Sequence, residues 1–138
     1  EGTVISVARG TDHPFQAIGH PELKGAPFSF TPEPRPHAAP NPPYKEQLCY
    51  GYNLEEFGER FMRNLRRLYL FWVIETYRDL GGQVAFFTPF FDKLAGNSTL
   101  REQIMNGWTE DQMRESWQAD LDRFRSIRKK YLLYTDFD

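Results

Sequence analysis

The stretch NLRRLYLFWVIETYRDLGG, residues 64–82, decides the fold of this 138-residue chain because it carries the clearest helical pattern. Its apolar residues recur at steps of three and four: Leu65, Tyr69, Trp72, Val73, Tyr77 and Leu80. This spacing is typical of a helix packed against a core, and the two glycines would end it. We therefore predict a central helix over residues 64–80, and the sequence changes character on either side of it.

Upstream of this helix, Gly and Pro divide the sequence into short β-prone runs. Between Pro27 and Pro43, seven of seventeen residues are proline, so this part can be neither a helix nor a central strand. Because flexible linkers are poor in aromatics, Phe28, Phe30 and Tyr44 predict an ordered loop that docks on a surface. The predicted strands are VISVA (4–8), FQAIG (15–19), FSF (28–30) and LCYGYNL (48–54).

Downstream, local signals predict further helices. Ser98 or Thr99 can cap a short helix that ends at Gly107, and Glu102 would complete a capping box with Thr99. A second capping box pairs Thr109 with Gln112, and a last helix is predicted over residues 117–131. The apolar stripe of that last helix consists of Trp117, Leu121, Phe124, Ile127 and Tyr131.

These patterns predict the fold class. The length is close to the commonest for one domain, so residues 1–138 can form a core without a disulfide or a metal. We predict a single α+β domain in which small N-terminal strands and an ordered Pro-rich loop pack on three to four C-terminal helices. Trp108 and Trp117 are expected in the core rather than as sugar platforms, because helix stripes usually point inward.

Composition excludes several classes of function. The net charge of −2, from 17 basic and 19 acidic residues, argues against a nucleic-acid partner. The single cysteine, Cys49, cannot form an internal disulfide, and no Cys/His spacing suits a metal, so we expect neither metal nor cofactor. The longest apolar run, residues 68–74, is too short to span a membrane. The basic run RSIRKK (125–130) is typical of a solvated helix face, with phosphate binding as the alternative.

Polar residues are densest in the opening stretch EGTVISVARGT, residues 1–11. Its two glycines permit close backbone approach, so the polar side chains could converge if the segment turns back on itself. Arg9 could then pair with a carboxylate, either that of Glu1 or that of a substrate. Equally, the segment could be a structural turn whose arginine satisfies carbonyl groups. The candidate site residues are Glu1, Thr3, Ser6, Arg9 and Thr11.

Four blocks of sequence, in order, resemble the C-terminal portion of the NamZ-type exo-β-N-acetylmuramidases. They are EGTVISVARGTDHPFQAIGHP, FSFTP with NPPYKEQLCYG, FFTPFFDKLAGNSTLREQI and ESWQADLDRFRSIRKKYLLY, which together cover nearly the whole chain. The family's opening motif typically reads EGTN, a hydrophobic residue and Ser, then GRGT. Val4 stands where the family usually has Asn, and Ala8 where it usually has Gly.

The resemblance implies a bacterial cell-wall enzyme that releases N-acetylmuramic acid from the non-reducing ends of peptidoglycan fragments. In such an enzyme an N-terminal Rossmann-like domain carries the principal catalytic glutamate, and the active site lies in the cleft between the two domains. This chain would then be the C-terminal domain, inactive alone, in a protein located outside the cytoplasm. The partners implied are that N-terminal domain and a peptidoglycan-derived saccharide.

The resemblance also suggests roles for individual residues. Glu1 would be an orienting or secondary acid/base group, and Arg9 would bind the lactyl carboxylate of the substrate or pair with Glu1. A second candidate for the cleft wall is the Pro-rich loop, with Arg35, Asn41 and Tyr44. The alternative is a non-catalytic module that binds a saccharide or a protein, or that only stabilises its neighbour.

Overall fold

The computed structural model describes residues 1–65, 67–82 and 84–135 and has the predicted α+β architecture. Its sheet contains three antiparallel strands in the order β1-β3-β2. Gly19 lies opposite Gly51, and Phe30 lies opposite Cys49. The strands are β1 (Ala17–His20), β2 (Phe28–Phe30) and β3 (Cys49–Asn53).

Three of the four predicted strands are confirmed, FSF with its predicted bounds and the other two with shifted ends, and the prediction of a strand over residues 4–8 is wrong. That segment forms only isolated bridges, Thr3 with Phe87 and Ser6 with Gly19. Its backbone groups bond to two different parts of the fold, so no continuous ladder can form. Ala8 then leaves the extended region with a φ of 56°.

The predicted helix over residues 64–80 begins later, at Phe71, and its start was therefore placed wrongly. A separate helical segment precedes it, made of α1 (Glu55–Phe57), a π-helical turn (Gly58–Met62) and α2 (Arg63–Leu65). The ring of Tyr69 packs on Phe57, with 4.8 Å between centroids, and this contact favours a non-helical path at residues 67–70, directly before α3 (Phe71–Asp79).

A 3₁₀ turn (Val84–Phe86) leads to α4 (Phe91–Ala95), α5 (Thr99–Met105) and α6 (Glu110–Arg128). The capping box of Thr109 and Gln112 is confirmed, and it starts α6 seven residues earlier than the predicted 117. The box of Thr99 and Glu102 is wrong: the backbone N–H of Thr99 donates to the side-chain oxygen of Asn97 instead, at 2.9 Å.

The core consists of two clusters. The larger joins α3 to the helices that follow, and the smaller lies under the sheet. Edge-to-face contacts between Phe86, Phe87 and Phe91 link the rings of the larger cluster, as expected from the high aromatic content. The larger cluster contains Leu70, Ile74, Tyr77, Phe86, Phe87, Phe91, Ile104 and Met113; the smaller contains Ala8, Ala17, Phe30 and Cys49.

The Pro-rich loop is ordered and docked, as predicted. Pro32 is fully buried, and its carbonyl accepts a hydrogen bond from the backbone N–H of Glu46 at 2.8 Å. Arg35 and Ala39 form an antiparallel bridge that closes the outer part of the loop. In the parts of the chain that the structure describes, no helix is long and apolar enough to span a membrane.

The cross-strand glycine pair yields a test of the sheet. A Cβ atom added at Gly51 would lie 1.8 Å from the carbonyl oxygen of Ile18, which belongs to the neighbouring strand backbone. We expect Gly51→Ala to lower the free energy of unfolding by about 3 kcal/mol, because β1 must move away from β3. Urea denaturation measures this loss. Gly25→Ala is the control, since a Cβ there meets open space, and an equal loss in both variants would contradict the account.

Candidate functional site

A groove of about 460 Å³ runs between the opening segment and the Pro-rich loop. Residues 1–9 form one wall, and residues 38–44 form the other. Five of the seven residues of the second wall are proline or alanine, so its polar groups are few. The polar or charged side chains in its lining are those of Glu1, Thr3, Ser6, Arg9, Asn41 and Tyr44.

Backbone hydrogen bonds hold the first wall against the helical half of the domain. The carbonyl of Gly2 accepts from the N–H of Thr88, and the N–H of Val4 donates to the carbonyl of Phe86, both at 2.9 Å. A Cβ atom at Gly2 would lie 2.7 Å from the Cα of Phe91, so only glycine permits this approach. The start of the segment is therefore fixed in position.

The two walls are joined at Gly10. Its carbonyl accepts from the N–H of Glu33 at 2.9 Å, and its φ of 85° lies in the left-handed region that favours glycine. A Cβ atom here would lie 2.5 Å from the carbonyl oxygen of Glu33 and 2.9 Å from Pro42. The second glycine of the opening stretch is thus required by the close approach of the Pro-rich loop.

Tyr44 ties the far end of the loop back to the segment. Its hydroxyl donates to the carbonyl of Val4 at 2.6 Å, and its ring meets His20 edge-on with 4.9 Å between centroids. Burial raises the pKa of the Tyr44 hydroxyl and lowers that of the His20 imidazole. Tyr44 is therefore a neutral hydrogen-bond donor at neutral pH.

Arg9 and Glu1 form an ion pair at the edge of the groove. The Nη2 atom of Arg9 lies 3.3 Å from Oε1 of Glu1, and the two side chains are 49% and 55% exposed. The guanidinium also lies over the ring of Phe15, with 5.3 Å to the centroid. Because a solvent-exposed pair of this kind is weak, a ligand carboxylate can replace Glu1 as the partner of Arg9.

Six of the eight predicted site residues line the groove, but the hydroxyl groups of two of them bond to nearby backbone N–H groups of the same segment. Thr3 accepts from the N–H of Ile5 at 3.3 Å, and Ser6 accepts from the N–H of Ala8 at 3.2 Å. Ser6 is also only 1% exposed. These two residues shape the segment, and the polar side chains of its wall that face solvent are those of Glu1 and Arg9.

Thr11 and Arg35 do not line the groove. The hydroxyl of Thr11 donates to the carbonyl of Ala8 at 2.8 Å and accepts from the N–H of His13 at 3.0 Å, which closes a turn. Arg35 donates to Asp12 at 2.8 Å, outside the groove. Both residues instead support the turn that follows Arg9.

Sequence reasoning missed two contributors. Phe15 orients the guanidinium of Arg9, and no periodicity marks it because it lies in a turn with a φ of 64°. Asp12 was missed as the partner of Arg35, although its place beside the opening motif was an available signal. Within the described residues, His, Cys, Asp and Glu form no group of three that could hold a metal ion.

Together the fold and the groove define a class of protein: a small α+β domain that presents a half-exposed arginine–carboxylate pair at the edge of an open groove. The chain belongs to the family described as Exo-beta-N-acetylmuramidase NamZ, C-terminal, which it matches over residues 1–134.

Two relatives of this chain are much longer than it is. It is 34% identical over 157 residues to the peptidoglycan β-N-acetylmuramidase NamZ of Bacillus subtilis (strain 168), covering 97% of this chain and 35% of that protein. The crystal structure of a DUF1343 family protein from Bacteroides fragilis NCTC 9343 is similar with a TM-score of 0.89 and 38% identity. That match covers 99% of this chain and 38% of the other. The chain therefore spans little more than a third of either relative.

The Tyr44 hydrogen bond provides a test of how the groove is built. Tyr44→Phe removes the donor to the Val4 carbonyl, and we expect the free energy of unfolding to fall by about 1–2 kcal/mol. Urea denaturation is the measurement. The control is Tyr52→Phe. It loses only a long contact, 3.4 Å, to the exposed Asp79, so we expect almost no change in the free energy of unfolding. A Tyr44 variant as stable as the control would show that the bond does not hold the wall.

Proposed function

We propose that this chain is the C-terminal part of a glycoside hydrolase that releases N-acetylmuramic acid from the non-reducing ends of peptidoglycan fragments. Its groove forms one side of the active-site cleft, and an N-terminal Rossmann-like domain of the same protein forms the other side. The family match and the named Bacillus subtilis relative support the substrate class. The observation that carries the cleft role is the half-exposed pair of Arg9 and Glu1 at the groove edge.

Arg9 suits the chemistry of a muramic acid. This sugar differs from other N-acetylhexosamines by a lactyl carboxylate, which a guanidinium can bind with two parallel hydrogen bonds. Phe15 packs on the guanidinium and limits its orientations, so less conformational entropy is lost when the substrate binds. Arg9 is therefore the residue that selects the muramic acid at the terminal position.

Glu1 has an auxiliary role in this proposal. Hydrolysis of the glycosidic bond adds water to the anomeric carbon and protonates the leaving oxygen, and carboxylates commonly serve both steps. The principal glutamate belongs to the N-terminal domain. Glu1 holds Arg9 when the cleft is empty and orients substrate or water when the substrate carboxylate takes its place.

The second wall contributes shape more than charge. Asn41 supplies an amide that can bond to hydroxyl or acetamido groups, and the prolines on either side of it add apolar lining. Tyr44 holds this wall to the first through its bond to Val4. We further propose that the enzyme acts outside the cytoplasm in bacterial cell-wall recycling, where its saccharide substrates arise.

A non-catalytic saccharide-binding module is the second candidate. One observation favours it: both walls of the groove belong to this chain, so a ligand could bind without another domain. Hydrolysis of a chromogenic N-acetylmuramide by the full-length protein, with no hydrolysis by a protein lacking the N-terminal domain, supports the enzyme. Binding of muropeptides without hydrolysis by the full-length protein supports the module.

The role of Arg9 is tested in the full-length protein. We expect Arg9→Ala to lower kcat/KM for a chromogenic N-acetylmuramide at least about tenfold, because the lactyl carboxylate loses its partner. The loss should be much smaller for the corresponding N-acetylglucosaminide, which has no such carboxylate. Steady-state kinetics on both substrates measure the difference.

Arg60→Ala is the matched control for this experiment. Arg60 is also an exposed arginine in an ion pair, with Glu56, but it does not line the groove. We expect its kinetics to equal those of the unmodified protein. An unchanged kcat/KM in Arg9→Ala would contradict the proposal that this residue binds the substrate.

A further inference from the structure

The second half of α6 exposes an apolar stripe on a helix that otherwise carries charged residues. Leu121 is 43% exposed, Phe124 57% and Ile127 51%, and Tyr131 beyond the helix is 76% exposed. They continue the line of Met113, which is fully buried, and of Trp117, which packs against the core. The stripe thus begins in the core of the domain and runs out onto its surface.

Among the described residues, little covers that stripe. The hydrogen bonds and ion pairs that the described side chains at positions 118–127 make lie within α6, such as those of Arg123 with Asp120 and Arg125 with Asp122. Contact with the rest of the domain is concentrated earlier, where Ser116 bonds to Gln103 and Arg114 bonds to the carbonyl of Leu68. An exposed apolar row on a projecting helix marks an interaction surface.

The stripe is continuous with an apolar hollow that starts at the opening segment. A cavity of about 390 Å³ is lined by Gly2, Ile5 and Val7 on one side and by Leu68, Leu94 and Leu100 on the other. A second cavity, of about 490 Å³, shares those three leucines and extends to Trp117, with the polar residues Asn97, Thr99, Gln103, Ser116 and Asp120 also in its lining. One continuous surface, apolar at the leucines and at Trp117 with polar residues between them, therefore runs from Glu1 and Gly2 to α6.

We infer that this surface, from Gly2 to the stripe of α6, is where the N-terminal part of the full-length polypeptide packs. The family is described as the C-terminal part of its proteins, and about two thirds of either relative lies outside the matched region. In the proposed two-domain architecture that polypeptide joins the chain at its N-terminal side, where Glu1 lies at one end of the surface, so its local concentration there is high. The inference rests on the two-domain architecture of the proposed function and is independent of its catalytic step.

The test is hydrogen exchange in the full-length protein, read in peptides that cover residues 117–131. We expect Phe124→Asp to make these amides exchange at least about tenfold faster, because a carboxylate cannot be buried in the apolar contact. Ile127→Asp should give the same result. The matched control is Ala119→Asp, which places the same charge roughly 140° around the helix from Phe124 and should leave the protection unchanged.

Sedimentation of the same proteins identifies what covers the stripe. A monomeric unmodified protein with a protected stripe supports the inference. A dimer that Phe124→Asp dissociates would show that a second copy covers the stripe. Equal exchange in the unmodified protein and all three variants would show that nothing covers it. Either result overturns the inference. If Arg9→Ala retains normal kinetics while the stripe is protected in a monomer, the substrate-binding proposal fails and the packing surface stands.

Discussion

The structure depends on how the opening segment distributes its backbone hydrogen bonds. Val4 bonds to Phe86 in the helical half, Ser6 exchanges two bonds with Gly19 in the sheet, and the carbonyl of Gly10 bonds to the Pro-rich loop. Buried backbone groups left unpaired would be costly, so each of these parts is held in place by the segment. The segment also touches both core clusters, because Ile5 packs against the larger and Ala8 belongs to the smaller.

The same distribution creates the pair at the groove edge. If residues 1–9 were an extended strand, the backbones of Glu1 and Arg9 would be roughly 26 Å apart, which is beyond the combined reach of their side chains. The observed 3.3 Å contact requires the chain to turn, and Ala8 with its φ of 56° lies just before Arg9. Thr11 and the bond of Arg35 to Asp12 then stabilise the turn. Residues outside the groove therefore determine its geometry.

Sequence reasoning succeeded where the determining interactions are local. The capping box of Thr109 and Gln112 lies within four residues, and the β-prone run FSF is bounded by proline on one side. One local signal was wrong, the capping box of Thr99, whose N–H bonds to the nearby Asn97. The other failures fall where distant groups compete. The path before α3 depends on the contact of Tyr69 with Phe57. Residues 4–8 pair with partners on two sides. The spacing of apolar residues in a sequence reveals neither kind of contact. The polar side chains of the opening segment likewise come together only if the segment turns back on itself, and the sequence did not decide whether it does.

Val4 and Ala8 are the two residues that differ from the family motif. At both positions it is the backbone, rather than the side chain, that holds the site in place. Ala8 adopts a left-handed conformation that costs a residue with a Cβ roughly 1–2 kcal/mol, but its methyl group is fully buried with Ala17, Phe30 and Cys49. The contacts of this methyl group in the core thus offset part of the backbone strain, which a glycine at this position would not have. Val4 packs its side chain toward the larger cluster, and its N–H and carbonyl still make the bonds that fix the wall. Both departures are therefore compatible with the 3.3 Å contact of Glu1 and Arg9, because the backbone bonds that hold the segment form with Val4 and Ala8 in place.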